Sequence, residues 1–299
     1  MIEDLRAFVA VVSEKSLTKA AERLHLTQSA VSRRIQQLED QLGSAVLDRS
    51  NRPPTPTFLG SRIHEAAIPI LQAVDRLRLL PKEDGSPSGT LRLGVTHAIG
   101  DAILADTIGR LKSDYPNVDV RVRSEWSNGL SDQVIEGGLD AAVILLPNGS
   151  RPTAPLVGSV LSTLDLVIVQ SAERPAFKGR VSMSDLAKAG WILNPQGCGY
   201  RAELERAMGQ TGETLRVLVD TYGNELQLRM IASGMGIGII PRILLSASPR
   251  ARKLRILQVT DFKLSLDIHL VHLTALGNMK KAIASLADTI TTTFSTRRR

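Results

Sequence analysis

The chain has a single cysteine, Cys198, so no intrachain disulfide framework can staple it, and a reducing compartment suits it. Neither an export leader nor an apolar run long enough to cross a bilayer is expected. Met1 to Val12 is amphipathic and broken by Glu3, Asp4 and Arg6. A cytoplasmic protein that does not contact membrane is expected. Reactive constellations are missing as well. No nucleophile elbow or Ser/His/Asp motif occurs. Gly234, Gly236 and Gly238 follow a helical pattern and run into a strand and a proline, the reverse of a phosphate cradle. His269 and His272, three apart in a strand-like stretch, point to opposite faces with no cysteine or paired carboxylate beside them. No metal, cofactor or catalytic residue is expected, and the chain reads as a non-enzyme.

What is there is the composition of a folded soluble protein, 43% hydrophobic and 22% charged. At 299 residues it has room for two or three folding units. A net charge of +7 favours a polyanionic partner without naming one. The charge is local: Glu3, Asp4, Glu14 and Glu22 dilute the first residues, then Arg33, Arg34, Arg49, Arg52 and Arg62 follow with fewer acids between them.

Ile2, Leu5, Val9 and Val12 recur at helical spacing, and Ser13 to Ser16 end that helix. Thr18 is expected to cap a second helix whose Ala20, Ala21 and Leu24 allow close helix packing. After a turn at His25-Leu26, Thr27 caps a third helix with Val31, Ile35, Leu38 and Leu42 inward and Gly43 as its stop. Its other face carries Gln28, Ser29, Ser32, Arg33, Gln36 and Gln37, short hydrogen-bonding groups and a cation suited to base edges and phosphates. Val46 to Arg49 and Thr55 to Thr57 form a wing around Ser50 to Pro54, flanked by Arg49 and Arg52 and expected against the DNA backbone or in the minor groove. Prolines 53, 54 and 56 cannot donate ladder bonds, so a loose wing is expected. An ordinary three-helix bundle with a solvated face is the competing reading of any one helix; the order of elements favours DNA binding.

Phe8-Val9-Ala10-Val11, Ser16 to Leu24, Thr27 to Ile35 and Leu38 to Gly43 resemble the reader domain of LysR-type transcriptional regulators. The wing departs from the family pattern, with Leu47-Asp48-Arg49 where Phe-x-Arg is usual and Pro56 where leucine is usual. Thr18, Thr27, Gln28, Ser29, Ser32, Arg33, Arg34, Arg49 and Arg52 are the DNA-binding candidates. From Thr57 to Leu80 the positions Leu59, Ile63, Ala66, Ile70, Ala73, Leu77 and Leu80 alternate by four and three, a heptad seam that implies a partner helix. Such a helix spans roughly 35 Å. Packing on the protein's own body is the alternative, and Pro69 is expected to kink the rod near Glu65. The resemblance implies homodimers through this helix and homotetramers through the remaining region. Pro81 to Gly89 reads as a hinge.

Strand and helix patterns then alternate: Thr90–Thr96, Ala98–Ser113, Val118–Val122, Leu130–Glu136 and Ala141–Leu146, followed by a second series from Leu164 to Ile240. That order predicts a largely parallel sheet with helices on both faces. Asp267–Val271 and a helix from Asn278 to Thr292 return to the first sheet, with crossovers near Ser159–Thr163 and Phe262–Ser265. Leu91-Arg92-Leu93-Gly94, Tyr115-Pro116-Asn117-Val118, Gly137 to Val143 and Gly234 to Pro241 are similar to the effector domain of the same family, which is like type 2 periplasmic binding proteins. The expected fold is therefore an N-terminal all-α winged helix-turn-helix (1–58), a long linker helix and hinge (59–89), and a two-lobed α/β effector domain (90–299). Lobe I takes 90–161 and 266–299, lobe II 162–265.

Ligands of open α/β sheets bind beyond the carboxyl ends of strands, near helix N-termini. Thr96, His97, Ser127, Asn128, Cys198, Tyr200, Tyr222 and Asn224 stand at such turns and are the effector candidates, with a small organic anion expected. Helix capping is the plainer role for each Ser, Thr and Asn. His97 is singled out because an imidazole donates to an anion and titrates near neutrality. Cys198 near a helix start is expected to have a lowered pKa and to suit a thiol sensor. Peroxide-sensing members of the family use two cysteines, so an internal disulfide switch is excluded here. A thiol-based or ligand-independent regulator and a solute-binding protein remain as alternatives. In the expected mechanism, ligand closes the lobes, re-angles the linker helices and alters DNA spacing and recruitment of RNA polymerase.

Overall fold

The computed structural model describes residues 1–51, 53–79 and 86–297. The chain divides into two compact units, Met1–Lys82 with Glu136–Gly138 and Glu83–Ile135 with Leu139–Arg299.

The first unit contains α1 (Ile2–Glu14), α2 (Leu17–Leu24), α3 (Gln28–Leu42), a hairpin of β1 (Leu47–Asp48) and β2 (Thr55–Pro56), and α4 (Phe58–Leu79). Lys15, at φ 50°, closes α1 in the left-handed region. Ser16, not Thr18, caps α2: its hydroxyl accepts from the Lys19 N–H at 3.3 Å. The helix starts two residues earlier than expected, which leaves Thr18 exposed in its first turn. Thr27 caps α3, accepting from the Ala30 N–H at 3.2 Å, and Gly43 ends it at φ 65°. Phe8, Ala20, Val31, Ile35 and Leu38 form the core of this unit. Leu42 does not join them; as the last residue before the Gly43 cap it is 40% exposed.

The wing is held more firmly than its prolines suggest. Leu47 pairs with Pro56 and Asp48 with Thr55. The Asp48 carboxylate accepts from the Ser50 hydroxyl at 2.6 Å and the Ser50 N–H at 2.9 Å, and these donors hold its pKa below the usual carboxylate range. Asn51 Nδ2 donates to Asp48 Oδ2 and Thr55 Oγ1, closing the turn. At the base, buried Glu39 accepts from the Val46 and Leu47 N–H groups at 2.9 and 3.3 Å and from Arg49 Nη2 at 2.7 Å. A Cβ at Gly60 would lie 2.0 Å from the Val46 carbonyl oxygen, so only glycine lets α4 start against this base.

In α4, Ala67 and Leu71 are buried and Ile63 packs with them on the helix-turn-helix core. Arg6 reaches Asp75 with two nitrogens, at 2.7 and 3.3 Å. Ile63, read as part of the heptad seam, therefore turns toward the reader instead, because burial of its neighbours at i+4 and i+8 fixes that stripe. The rest of the seam stays open: Leu59, Ile70 and Leu77 are 37, 47 and 65% exposed, and Ala66 and Ala73 are exposed. Leu80 and the hinge residues 81–85 lie outside the described residues. Pro69 sits inside the helix, which continues past it.

The second unit contains β3 (Gly89–Val95), α5 (His97–Asp114), β4 (Val118–Ser124), α6 (Ser127–Ile135), β5 (Ala141–Pro147), β6 (Val157–Ser171), β7 (Arg180–Val181), α7 (Met183–Leu186), β8 (Gly190–Leu193), α8 (Gly199–Gln210), β9 (Arg216–Asp220), α9 (Asn224–Ala232), β10 (Gly238–Pro241), α10 (Arg242–Ala247), β11 (Leu254–Ile256), β12 (Gln258–Val259), β13 (Leu264–His272) and α11 (Lys280–Arg297). The main sheet runs β10-β6-β13-β5-β3-β4, with β11 also on β6. It is mixed, not largely parallel. β3 is parallel to β4 and β5, but β13 is antiparallel to β5 and β6, and β6 is antiparallel to β10. The reason is β6: Ser159–Thr163, expected as a crossover, belongs to this 15-residue strand and pairs with β13.

A second parallel pair, β8 and β9, is joined to the chain entering β10 by a bridge between Trp191 and Ile237. The result is a two-lobed α/β unit in which β3–β5 with α5, α6 and α11 form one lobe and β8–β10 with α8 and α9 the other. β6 and β13 run between them. No described helix is long and apolar enough to cross a membrane.

A candidate DNA-reading face and a candidate effector cleft

The outer face of α3 is what its period demands. Gln28, Ser29, Ser32, Arg33, Gln36 and Gln37 are all exposed while Val31, Ile35 and Leu38 are buried behind them. Thr27 and Ser29 hydroxyls lie 3.0 Å apart at the start of the helix. Arg33 makes no ion pair among the described residues, so its guanidinium is available for phosphate or a base edge. Arg34 is placed differently. Its Nη1 donates to the Glu3 carboxylate at 3.2 Å and the Glu3 carbonyl at 3.3 Å, which ties α3 to α1. Arg49 is exposed but anchored on Glu39 and, at 3.2 Å, on Gln36. Gln36 also donates to Asp40, so Arg49, Gln36 and Asp40 form one chain of contacts along the helix. Arg52 lies outside the described residues.

In the second unit, the carboxyl ends of β3, β4, β8 and β9 meet. Thr96 precedes α5 and is 4% exposed, with no hydrogen-bond partner for its hydroxyl among the described residues. His97 opens α5, its ring 4.9 Å from that of Trp126 and 6.5 Å from that of Tyr222. Trp126 and Tyr222 stack at 6.3 Å and 24°. Asn224, the first residue of α9, is 3% exposed; its Nδ2 donates to Asp101 Oδ2 at 2.6 Å, and its Oδ1 has no partner among the described residues. This amide therefore clasps the N-terminal halves of α5 and α9, one from each lobe. Gly197, at φ 94°, passes so close to Trp126 that a Cβ would lie 3.0 Å from its ring. Asn194 follows β8; its amide nitrogen donates to the Tyr200 hydroxyl, and its Oδ1 is unpartnered among the described residues.

Other nominated residues have inward, structural roles. The Ser127 hydroxyl bonds both the carbonyl and the N–H of Leu145, at 3.0 and 3.1 Å, fixing α6 to β5. Asn128 is exposed in the first turn of α6. Cys198 is buried, and burial pushes its thiol above the ordinary range, the reverse of the expected lowering; the neighbouring donors are too weak to offset desolvation. Tyr200 is likewise buried and its hydroxyl is pushed well up. Arg201, beneath the cleft, is held by Glu205, Asp220 and the Asn194 carbonyl. Spacing did not nominate Trp126, Asp101 or Asn194. Trp126 had one available signal, an aromatic next to the Ser127-Asn128 turn. Among the described residues no group of three or more His, Cys, Asp or Glu could hold a metal ion.

Residues 2–61 match the model described as the bacterial regulatory helix-turn-helix protein of the lysR family, and residues 84–294 match the LysR substrate binding domain. The chain belongs to the LysR family of transcriptional regulators. This LysR-type regulator is 25% identical over 278 residues to the HTH-type transcriptional regulator CysL of Bacillus subtilis, covering 92% of each chain. It shares its fold with a full-length OxyR variant from Pseudomonas aeruginosa, with a TM-score of 0.72 and 23% identity over 97% of this chain and 94% of that one. It is also similar to full-length CbnR complexed with its target DNA, with a TM-score of 0.66 and 17% identity over 98% and 99% of the two chains. In the LysR-type regulator described here, α2 and α3 are the helix-turn-helix, β1 and β2 the wing, and the unit from β3 onward the effector-binding domain.

Proposed function

We propose that this LysR-type regulator binds double-stranded promoter DNA as a homodimer paired through the exposed stripe of α4. Dimers pair again into homotetramers through the second unit. It controls transcription by presenting RNA polymerase with DNA whose spacing or bend depends on a bound small molecule. It acts in the cytoplasm and carries out no catalysis of its own. The observation that carries the DNA reading is the α3 surface: Ser29, Ser32 and Arg33 exposed, with Val31, Ile35 and Leu38 buried behind them. Thr27, Gln28 and Ser29, at the start of that helix, offer hydroxyls, an amide and free N–H groups where a phosphate would sit. Thr18, exposed in the first turn of α2, supplies a flanking backbone contact.

The effector belongs in the cleft of His97, Trp126, Tyr222 and Asn224, between lobe I (90–161 and 266–299) and lobe II (162–265). Helix starts at α5, α8 and α9 favour an anion. The unpartnered oxygens of Asn194 and Asn224 require donors. A small organic anion that also bears a hydroxyl or amino group meets both demands, with its apolar part against the Trp126 and Tyr222 rings. Binding would replace the Asn224 to Asp101 clasp and reset the lobes, and with them the α4 pair.

Fluorescence anisotropy on a labelled duplex from upstream of the protein's own gene tests the first claim. Binding that weakens steeply with salt is expected, because phosphate contacts release counterions; absence of binding at low salt would overturn it. Thermal-shift titration with hydroxy and amino acids, against dicarboxylates without such donors, tests the second. Stabilisation confined to the donor-bearing acids is expected, and equal response to both sets rejects the role given to Asn194 and Asn224.

A further inference from the structure

Away from the cleft, a cavity of 420 Å³ lies where β6, β13 and the β11–β12 segment meet α10. Its size falls in the range of about 300–1,000 Å³ typical of small-molecule pockets. The wall is mostly apolar, with Leu166, Ile168, Ile256 and Phe262 among its residues, and two cations, Arg242 and Lys263, line it as well. Neither cation forms an ion pair among the described residues. Asp165 also lines the cavity, so one carboxylate stands against two positive charges.

The location gives the cavity a consequence. Leu264 pairs with Leu166 and Ser265 with Asp165, so its floor is the β6–β13 strand pair that runs between the lobes. A molecule seated there would bridge α10 to that pair and bias the angle at which the lobes meet.

We propose that this cavity is a second small-molecule site, separate from the cleft, for an amphiphilic monocarboxylate. The hydrocarbon or aryl body packs on Leu166, Ile168, Ile256 and Phe262, and the carboxylate lies between Arg242 and Lys263. Apolar burial supplies most of the affinity, and the two cations select charge over a neutral analogue of the same shape.

Isothermal titration of the full-length protein with sodium octanoate, below its micellar range, tests this, with 1-octanol as the uncharged control. Saturable binding of one octanoate per chain is expected, with octanol at least roughly tenfold weaker. Arg242→Gln and Lys263→Gln should each weaken octanoate by about tenfold; circular dichroism shows whether each variant is folded, as exposed substitutions should be. Tyr222→Ala, in the cleft, should leave octanoate binding unchanged. No saturable binding by the wild type, octanol binding as well as octanoate, or affinity that survives both cation substitutions would overturn the proposal. Loss in Tyr222→Ala alone would move octanoate to the cleft and overturn it equally. The result does not depend on which acid fills the cleft, because the two sets of variants share no residue.

Discussion

The outer face of α3 and the candidate effector cleft are both surfaces of short polar residues at helix starts, yet only one is decided locally. On α3 a single period of 3.6 residues places Val31, Ile35 and Leu38 inside and thereby places Gln28, Ser29, Ser32 and Arg33 outside. In the cleft no period operates. Thr96, Ser127, Cys198 and Asn224 occupy equivalent strand-to-helix turns, but Ser127 is tied to Leu145 and Cys198 is buried, while Thr96 and Asn224 keep unpartnered oxygens. What a turn residue does there depends on what packs over it from elsewhere in the chain.

The largest effect expected from this comparison is at Glu39, which carries the reading unit's local logic into its wing. Removing the carboxylate with Glu39→Ala strands the Val46 and Leu47 N–H groups in a buried position and frees Arg49. A loss of about 3 kcal/mol in stability of the reading unit is expected. Urea unfolding of the variant measures it, and a change under about 0.5 kcal/mol would show that the wing does not depend on this anchor.

Arg33 and Arg34 sharpen the same comparison within one helix. They are adjacent in sequence, but Arg33 is exposed on the outer face with no ion pair among the described residues and Arg34 is bound to Glu3. Arg33→Ala should weaken DNA binding by about tenfold and reduce the salt slope by about one phosphate contact. Arg34→Ala should change the slope little. Equal slopes for the two variants would mean that Arg34 leaves Glu3 to meet DNA, and that α3 is less fixed by local packing than its burial pattern indicates.

The same distinction explains which elements could be read from sequence. α1, α3 and α4 carry long apolar stripes, and Thr27 and Gly43 bound α3 by capping chemistry that is local. The first half of β6 carries no such signal, since Val157, Gly158, Ser159 and Val160 are all exposed and show no alternation. Its pairing with β13 comes from chain more than a hundred residues away, and with it the mixed sheet. β7, β12 and α7 are two to four residues long, too short for any period to register. The roles of Trp126 and Asp101 are set the same way: their partners, Tyr222 and Asn224, lie in the other lobe, beyond the reach of any local pattern.

A smaller effect is expected from His269, which sits in β13 away from either surface, buried with neither ring nitrogen bonded among the described residues. Burial lowers its pKa below the ordinary 6.5, with Asp267 pulling the other way. Well above pH 6.5 the ring is neutral folded and unfolded and contributes no pH dependence. As pH falls through 6.5 the unfolded chain takes up a proton that the folded one resists, so stability is lost on acidification from there downward. Thermal unfolding between pH 7.5 and 5.5 should show the decline, and His269→Leu should flatten it. An unchanged pH profile in the variant would assign the decline to other groups. The effector-binding unit should carry this loss.

Tyr222 should give the smallest change in stability and the cleanest separation of the two regions. It is 67% exposed, so Tyr222→Ala removes little burial, and a shift within about 0.5 kcal/mol is expected. Its ring nonetheless stacks on Trp126 and approaches His97, one face of the proposed ligand's seat. DNA affinity without effector should therefore match the wild type, because α3 is positioned by its own unit, while thermal stabilisation by cleft ligands should fall at least threefold in apparent affinity, the loss of about one ring contact. If Tyr222→Ala instead weakened DNA binding in the absence of ligand, the reading face would not be set locally, and the contrast between the two surfaces would fail at its stronger end.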